Sequence, residues 1–344
     1  MKILVIKLSN LEESILAVPL LNSLRKTFKD SEIDLATYEE NICILENKEI
    51  IDNILGINKR ERNGKFNYFL KSMKILKKKY DIIIELPSDK KSSILDMFSF
   101  GAKYKIKKDD GKFFNGSGYL VKEIEHYDEV EKNLEYLKPL EKIDSVKVIY
   151  DKEITLQVSQ DEKNEIRERM KKEGVDFSSP IFASSLFLDP ENDFFPVEEM
   201  KKLIEKLAME KLNIVFYYEK GNKRKTAKFI KELKNNKNVY MFEIENLKDY
   251  KGFFANCRFF FGTETKERYI AQGVGVPSFI IFEDQEKWIS NYGEKFQGIV
   301  SNKIKKEYSG VMKPRIFEEV NCENVYKNIE RMLRENKVIG QNFK

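Results

Sequence analysis

The chain has 344 residues, of which 62 are Lys or Arg, 57 are Asp or Glu and one is His, giving a formal net charge of +5. A domain usually holds roughly 100–200 residues, so this length predicts two. Interleaved charges of both signs predict solvated helix faces; they argue against a disordered polyelectrolyte and against a nucleic-acid binder, which concentrates its basic excess on one element.

Short Ile, Leu and Val runs alternate with segments of helical period, the pattern of βα units around a mostly parallel sheet. Buried strands are predicted at 3–6, 33–36, 54–57 and 82–86, with helices near 14–28, 39–46, 66–79 and 89–98. Pro19, inside the first helix, predicts a kink or an irregular start. Residues 103–118 carry Lys103, Lys105, Lys107, Lys108 and Lys112 beside Tyr104, Phe113 and Phe114, and read as a strand followed by a loop. A charged amphipathic helix over 126–138 is expected to end at Pro139, after which the chain extends through 146–150 and 154–158. The domains are placed at 1–150 and 151–320, with a C-terminal helix and tail at 321–344. In the second half strands are expected at 181–186, 213–218, 238–242, 258–261 and 278–282, and helices at 197–209, 222–235, 247–256, 267–273 and 322–335. Two αβα domains in series predict a cleft whose floor is built by the turns after strands 1 and 4 of each half.

Cys43, Cys257 and Cys322 are isolated and odd in number, which argues against a disulfide framework and predicts a reducing, cytoplasmic compartment. His126 is the sole histidine, so a Ser-His-Asp triad has no other base, and no Cys/His cluster has zinc spacing; no metal is expected. The apolar run Ile3–Ile6 is shorter than the roughly 7–15 residues of a signal peptide, and no run approaches the roughly 20 needed to cross a bilayer. A soluble protein is expected, one able to rest on a membrane surface.

Two turns carry the chemistry. The first, Lys7-Leu8-Ser9-Asn10-Leu11-Glu12-Glu13-Ser14, follows strand 1 and opens a helix, so it offers backbone N–H groups and aims side chains at a ligand. Ser9 or Asn10 suits the N-cap, and Glu12 and Glu13 fall in the first turn, where acidic residues are favoured. The alternative reading makes Glu13 a general base within reach of a bound hydroxyl. The second turn follows the apolar Phe259-Phe260-Phe261-Gly262 and runs Thr263-Glu264-Thr265-Lys266-Glu267-Arg268-Tyr269 into a helix that ends at a glycine before Pro277. Thr263 or Thr265 would cap that helix, either structurally or as part of an anion site to which Lys266 and Arg268 add positive charge.

These residues resemble glycosyltransferase family 9, the heptosyltransferases that add ADP-activated heptose to the inner core of lipopolysaccharide. Met1–Ser9 is similar to the family's opening strand and its Lys/Arg-x-Ser-Ser-x-Gly-Asp turn, and Pro19–Arg25 to the apolar helix with an internal proline. Asp81–Leu86, Phe100–Lys103 and His126 with Val130-Glu131 also resemble family segments. Phe195-Pro196 resembles its Trp-Pro, Phe261–Pro277 aligns with the stretch holding Asp-Thr-Gly-x-x-His and ending Gly-Val-Pro, and Phe282 through Asn291-Tyr292-Gly293 continues it. The resemblance implies a GT-B fold, two facing Rossmann-like αβα domains, with the acceptor held mainly by the first and the nucleotide sugar by the second. It implies metal-independent, inverting transfer to a glycolipid or glycan acceptor, with no cofactor beyond the nucleotide-sugar donor itself. Glu13 would be the base; Thr263, Glu264, Thr265, Lys266, Ser184 and Ser185 would bind the donor; Ser9, Asn10, Lys105 and Lys107 would bind the acceptor.

Three polar motifs depart from the family. Glu12-Glu13 stands for Gly-Asp, Asp193 for a phosphate-contacting Lys, and Glu264-Thr265-Lys266-Glu267-Arg268-Tyr269 for Asp-Thr-Gly-x-x-His. Two readings follow, an enzyme retuned to a different donor or acceptor, or a family member without transfer that acts as a binding or partner protein. The Lys103–Lys112 segment reads either as a site for anionic acceptor groups or an acidic membrane surface, or as a solvated loop. Trp288 reads as a core or hinge cover, or as a stacking platform for a base.

Overall fold

A computed structural model describes residues 1–58, 79–88, 102–109, 118–122, 128–142, 146–186, 195–282, 294–300 and 320–340. The helices expected within 66–78 and over 89–98, together with Phe100, Lys112, Phe113, Phe114, His126, Asp193, Trp288 and 291–293, lie outside these residues. The chain divides into two compact units, Met1–Gln157 and Val158–Lys344.

In the first unit, β1 (Lys2–Ile6), β2 (Glu32–Tyr38), β3 (Asn53–Ile57), β4 (Ile82–Glu85), β5 (Tyr104–Lys108) and β6 (Gly118–Val121) pair in parallel, in the order β3-β2-β1-β4-β5-β6. β6 extends the sheet beyond the sequence expectation, which ran the loop on to residue 118. Its four residues bury Val121 and leave Leu120 exposed, too little apolar patterning to announce a strand. The single helix expected over 14–28 is two, α1 (Leu11–Ile15) and α2 (Val18–Thr27). Pro19 lies in the first turn of α2, where its missing N–H has no intrahelical partner to lose. A 3-10 turn, Glu39–Asn41, leads into α3 (Ile42–Leu45).

α4 (Glu129–Leu134) is N-capped by Asp128, whose Oδ1 accepts from the Glu131 N–H at 2.8 Å. Pro139 does not end this region. The chain continues as a 3-10 helix, Glu135–Lys142, whose tighter winding accommodates the proline. Residues 146–157 then run without regular structure, and the later part is tied to α2. Asn22 Nδ2 donates to the Glu153 carbonyl and to Thr155 Oγ1, both at 3.0 Å, and Ser23 Oγ accepts from the Asp151 N–H at 2.8 Å. Those bonds explain why a helix otherwise buried on apolar residues also buries Asn22 and Ser23.

The second unit opens with α5 (Gln160–Lys172), which the sequence reading did not place. Only Ile166 and Met170 are buried along it, so its apolar stripe is thin; its start is specified by a capping box between Ser159 and Glu162. There follow β7 (Ile181–Ser184), α6 (Val197–Leu207), β8 (Asn213–Glu219), α7 (Lys223–Glu232), β9 (Val239–Ile244), α8 (Asp249–Ala255), β10 (Phe259–Thr263), α9 (Lys266–Val274), β11 (Ser278–Phe282), β12 (Phe296–Val300) and α10 (Cys322–Glu335). β12 is again additional to the expected strands. The order is β12-β11-β10-β7-β8-β9, all parallel. Numbered from its own first strand, each sheet has the order 3-2-1-4-5-6, the doubly wound topology whose direction reverses between strands 1 and 4.

The three phenylalanines of β10 show why a parallel strand must be apolar on both faces. Phe259 and Phe261 join Phe182, Phe195 and the buried faces of α6 and α10, with the Phe182 and Phe259 rings 5.4 Å apart. Phe260 points the other way, 5.1 Å from Phe254 and 6.3 Å from Tyr217. On that side α8 crosses α5 at Gly252, where a Cβ would sit 2.6 Å from Ile166 Cγ1 and 2.7 Å from the Glu162 carbonyl oxygen. Among the described residues no helix is long and apolar enough to cross a membrane.

Candidate active site

Open α/β sheets bind ligands beyond the carboxyl ends of the strands at the point where the strand order reverses. In the first unit that point is β1 beside β4. The Lys7 side chain follows directly on β1, 3% exposed, and its ammonium donates to the Pro87 carbonyl at 2.8 Å and pairs with Glu13 Oε2 at 3.4 Å. The Glu13 carboxylate itself is 39% exposed. Asn10 is the N-cap, its Oδ1 accepting from the Glu13 N–H at 2.9 Å, so the cap fixes the backbone that carries Glu13. Ser9 is fully buried; its carbonyl accepts from Asn41 Nδ2 at 3.1 Å and its hydroxyl lies 3.3 Å from Ser14 Oγ. Ser9 therefore shapes the turn, while Asn10 and Glu13 face solvent. Lys105 and Lys107 are on β5, on the face opposite buried Ile106 and two strands from β1, about 10 Å away at ordinary strand spacing.

In the second unit the switch point is β7 beside β10. Ser184, buried, donates to the Ser185 carbonyl at 3.2 Å, and Ser185 shares a side-chain hydrogen bond with Tyr217. Thr265 holds the N-cap position of α9, but its side chain makes no capping bond. Glu264 turns inward: Oε1 accepts from Arg268 Nη1 at 3.1 Å and from Tyr269 OH at 2.8 Å. Arg268 is 3% exposed at its side chain and stacks on the Phe282 ring at 5.2 Å. The expectation that Arg268 lends positive charge to an anion site is thus corrected, because its place on α9 points it into the core against Glu264.

Lys266 stays at the surface of the turn, in an acidic cluster. Its ammonium donates to Glu219 Oε1 at 2.7 Å, lies 3.9 Å from Glu267 Oε1 and sits 5.4 Å over the Tyr250 ring. Tyr250 OH reaches Glu219 Oε1 at 2.8 Å and Glu267 Oε1 at 3.0 Å. The Lys266 hydrogen bond holds the Glu219 carboxyl below its usual range against the opposing effect of burial, with Tyr250 adding to the lowering. Burial, and then the Glu267 charge, push the Tyr250 phenol far above its usual value. Carboxylates thus occupy the region of the α9 N-terminus, which favours negative charge.

The structure brings Thr263, Glu264, Thr265, Lys266, Ser184 and Ser185 to one switch point, and Ser9, Asn10 and Glu13 to the other. It adds Lys7, and also Glu219, Tyr250 and Tyr217, whose roles local spacing does not reveal: Glu219 ends β8 and Tyr250 lies in the first turn of α8, both far in sequence from Lys266. Lys7 had a signal, a cation ending an otherwise apolar strand. Among the described residues no group of three or more His, Cys, Asp or Glu is placed to hold a metal ion.

No family model matches the chain. It is 30% identical over 135 residues to lipopolysaccharide heptosyltransferase 3 of Escherichia coli, a match covering 37% of this chain and 39% of that protein, so the chain spans about two fifths of the curated relative. Its fold is similar to a glycosyl transferase family 9 structure from Veillonella parvula, with a TM-score of 0.76, 16% identity and 97% of each chain covered. It is also similar to E. coli heptosyltransferase WaaC solved with ADP, with a TM-score of 0.69, 15% identity and coverage of 96% of this chain and 100% of that one. The chain has the GT-B fold of two Rossmann-like units, and its resemblance to glycosyltransferase family 9 is borne out by these relatives.

Proposed function

We propose that the protein is an inverting, metal-independent glycosyltransferase that moves a sugar from a nucleotide-diphosphate donor, ADP-heptose or a close analogue, to a lipopolysaccharide or other surface-glycan acceptor. The observation that carries this reading is the Lys7–Glu13 pair at the first switch point: a solvent-facing carboxylate held by a buried ammonium and by the Asn10 cap. Glu13 takes the proton of the acceptor hydroxyl as that oxygen bonds to the anomeric carbon. The bond from that carbon to the donor phosphate oxygen breaks, its electron pair leaves with the nucleoside diphosphate, and the anomeric configuration inverts. Lys7 holds the carboxylate in position. Asn10, Lys105 and Lys107 line the acceptor side, with Ser9 shaping the turn beneath them.

The donor diphosphate is received by the turn from Thr263 to Lys266 and by Ser184 and Ser185, with the N-terminus of α9 and Lys266 stabilising charge on the leaving group. WaaC, a fold neighbour, carries ADP. The protein works in the cytoplasm, in peripheral contact with the inner membrane face where its acceptor lies.

A second reading, a binding or partner protein without transfer, is favoured by the 2.7 Å Lys266–Glu219 bond, since a diphosphate must displace that carboxylate to reach the lysine. The experiment is turnover with a panel of nucleotide sugars, wild type against Glu13→Gln. Glu13→Gln lowers turnover by about 10²–10⁴-fold, the usual contribution of a general base, and leaves nucleotide binding unchanged. Thermal stabilisation by nucleotide without any turnover supports the second reading; neither turnover nor stabilisation refutes both.

A further inference from the structure

The second unit has a cavity of about 610 Å³ at the amino ends of its strands, the edge of the sheet opposite the donor turn. Pro180, Arg258, Pro277 and Lys295 line it, and each immediately precedes a strand, β7, β10, β11 and β12 respectively. The five residues of β10 separate this edge from Thr263 by roughly 16 Å, at about 3.3 Å per residue. The volume is that of a ligand pocket.

Its charge is one-sided. Arg258, Lys295 and Lys337 line the cavity, no Asp or Glu does, and among the described residues none of the three makes an ion pair or a side-chain hydrogen bond. Accessible apolar wall is supplied by Val274 and Val338. The plain explanation for cations here is that α8, α9 and α10 all end at the cavity, and positive charge complements helix C-termini. Each of those ends, however, is closed in part by its own backbone. Val276 N–H donates to the Ala271 carbonyl at 2.9 Å, Cys257 N–H to Phe254 at 2.9 Å, and Val338 N–H to Leu333 at 2.8 Å, so these three carbonyls do not require the side chains.

Lys337 gives a second, independent sign. It occupies the residue after the α10 cap with φ +57°, the one non-glycine residue with positive φ among those described. The same turn closes α5 at Gly174 and α9 at Gly275, with φ +88° and +86°. Only at α10 does a side chain occupy the left-handed position, against the steric preference of an L-residue, and that side chain is a cation at the cavity wall.

We propose that this cavity is a second anion site, separate from the donor turn, that takes a phosphate-bearing group with an apolar portion, the phosphate held by Arg258, Lys295 and Lys337 and the apolar part laid against Val274 and Val338. The phosphate belongs either to a soluble molecule or to a lipid headgroup, and two probes separate these sources: inorganic pyrophosphate titrated into the full chain by calorimetry, and flotation with phosphatidylcholine vesicles with and without phosphatidic acid.

Binding of either probe weakens about tenfold for each charge removed, so the double variant Arg258→Gln/Lys295→Gln binds about 100-fold more weakly. Lys266→Ala, at the donor turn, leaves this binding in place. Lys337→Gly separates ligand role from structural role: it relieves the left-handed position and raises Tm by about 2–4 °C, yet weakens binding. Pyrophosphate binding without vesicle binding identifies a soluble phosphate, and vesicle binding that needs phosphatidic acid identifies a headgroup. The proposal is overturned if neither probe binds, if the double variant binds like wild type, or if Lys337→Gly binds as tightly as the lysine.

Discussion

Glu264 separates a structural role from a ligand role at the donor turn most sharply. Glu264→Ala removes the carboxylate that accepts from Arg268 at 3.1 Å and from Tyr269 at 2.8 Å. Both partners of the ion pair are buried, with side chains 9% and 3% exposed, so solvent screens the pair weakly. Removing one partner of a buried ion pair costs about 3–5 kcal/mol. Against a domain stability of about 5–15 kcal/mol this is a large fraction, and at about 2–4 °C per kcal/mol it lowers Tm by roughly 6–20 °C. The assay is thermal and urea unfolding followed by circular dichroism, in a cycle with Arg268→Met. The double variant, with an apolar side chain over Phe282, recovers the ion-pair share of the loss and keeps the cost of the lost Tyr269 hydrogen bond, about 1–3 kcal/mol. A single-variant loss below about 1 kcal/mol, or losses that simply add in the double variant, refutes the reasoning. If Glu264 were instead a donor ligand, Glu264→Ala would weaken nucleotide binding and leave Tm unchanged.

Gly252→Ala, whose Cβ would meet Ile166 and the Glu162 carbonyl, destabilises the second unit by about 1–3 kcal/mol, read as a lower urea midpoint at unchanged slope. Asn10→Ala loses the α1 cap at about 1 kcal/mol and, through the Glu13 N–H, also lowers turnover; Asn10→Asp restores both. The Glu219 carboxyl is depressed below its ordinary 4.5 by Lys266, so its contribution is present above about pH 4.5 and is lost as pH falls through the folded value. Glu219→Gln therefore flattens the acid limb of stability measured by urea midpoints between about pH 3 and 6. Burial, with the Glu210 hydrogen bond, pushes Tyr326 up to about 12, so its share of stability is full below pH 10 and is lost as pH rises toward 12; Tyr326→Phe removes that share of the alkaline loss in the same measurement.

The regular framework was legible because buried strands must be apolar on both faces, as Ile82–Ile84 and Phe259–Phe261 are, and because amphipathic helices such as Cys322–Glu335 carry apolar residues at helical spacing. Where burial is thin the pattern fades. α5 commits only Ile166 and Met170 to the core, and β6 only Val121, so neither announces itself. The positions of the candidate site residues followed from topology, since turns after strands 1 and 4 gather at the switch point of each sheet. Their partners did not follow. Whether Lys266 meets Glu219, and Arg268 meets Glu264 or solvent, is decided by where β8 and α8 place side chains, information that the spacing within one turn does not contain.

Asn22 and Ser23 have a consequence for anyone who would cut the gene in two. Because these side chains bond to Asp151, Glu153 and Thr155, the stretch leading to Gln157 belongs to the fold of the N-terminal half. A fragment stopped at residue 150 strands buried hydrogen-bonding groups, at about 1–3 kcal/mol for each one left unsatisfied. Divided after Gln157 instead, the N-terminal fragment keeps these bonds, and the difference between its melting curve and that of the shorter fragment reads out what they contribute.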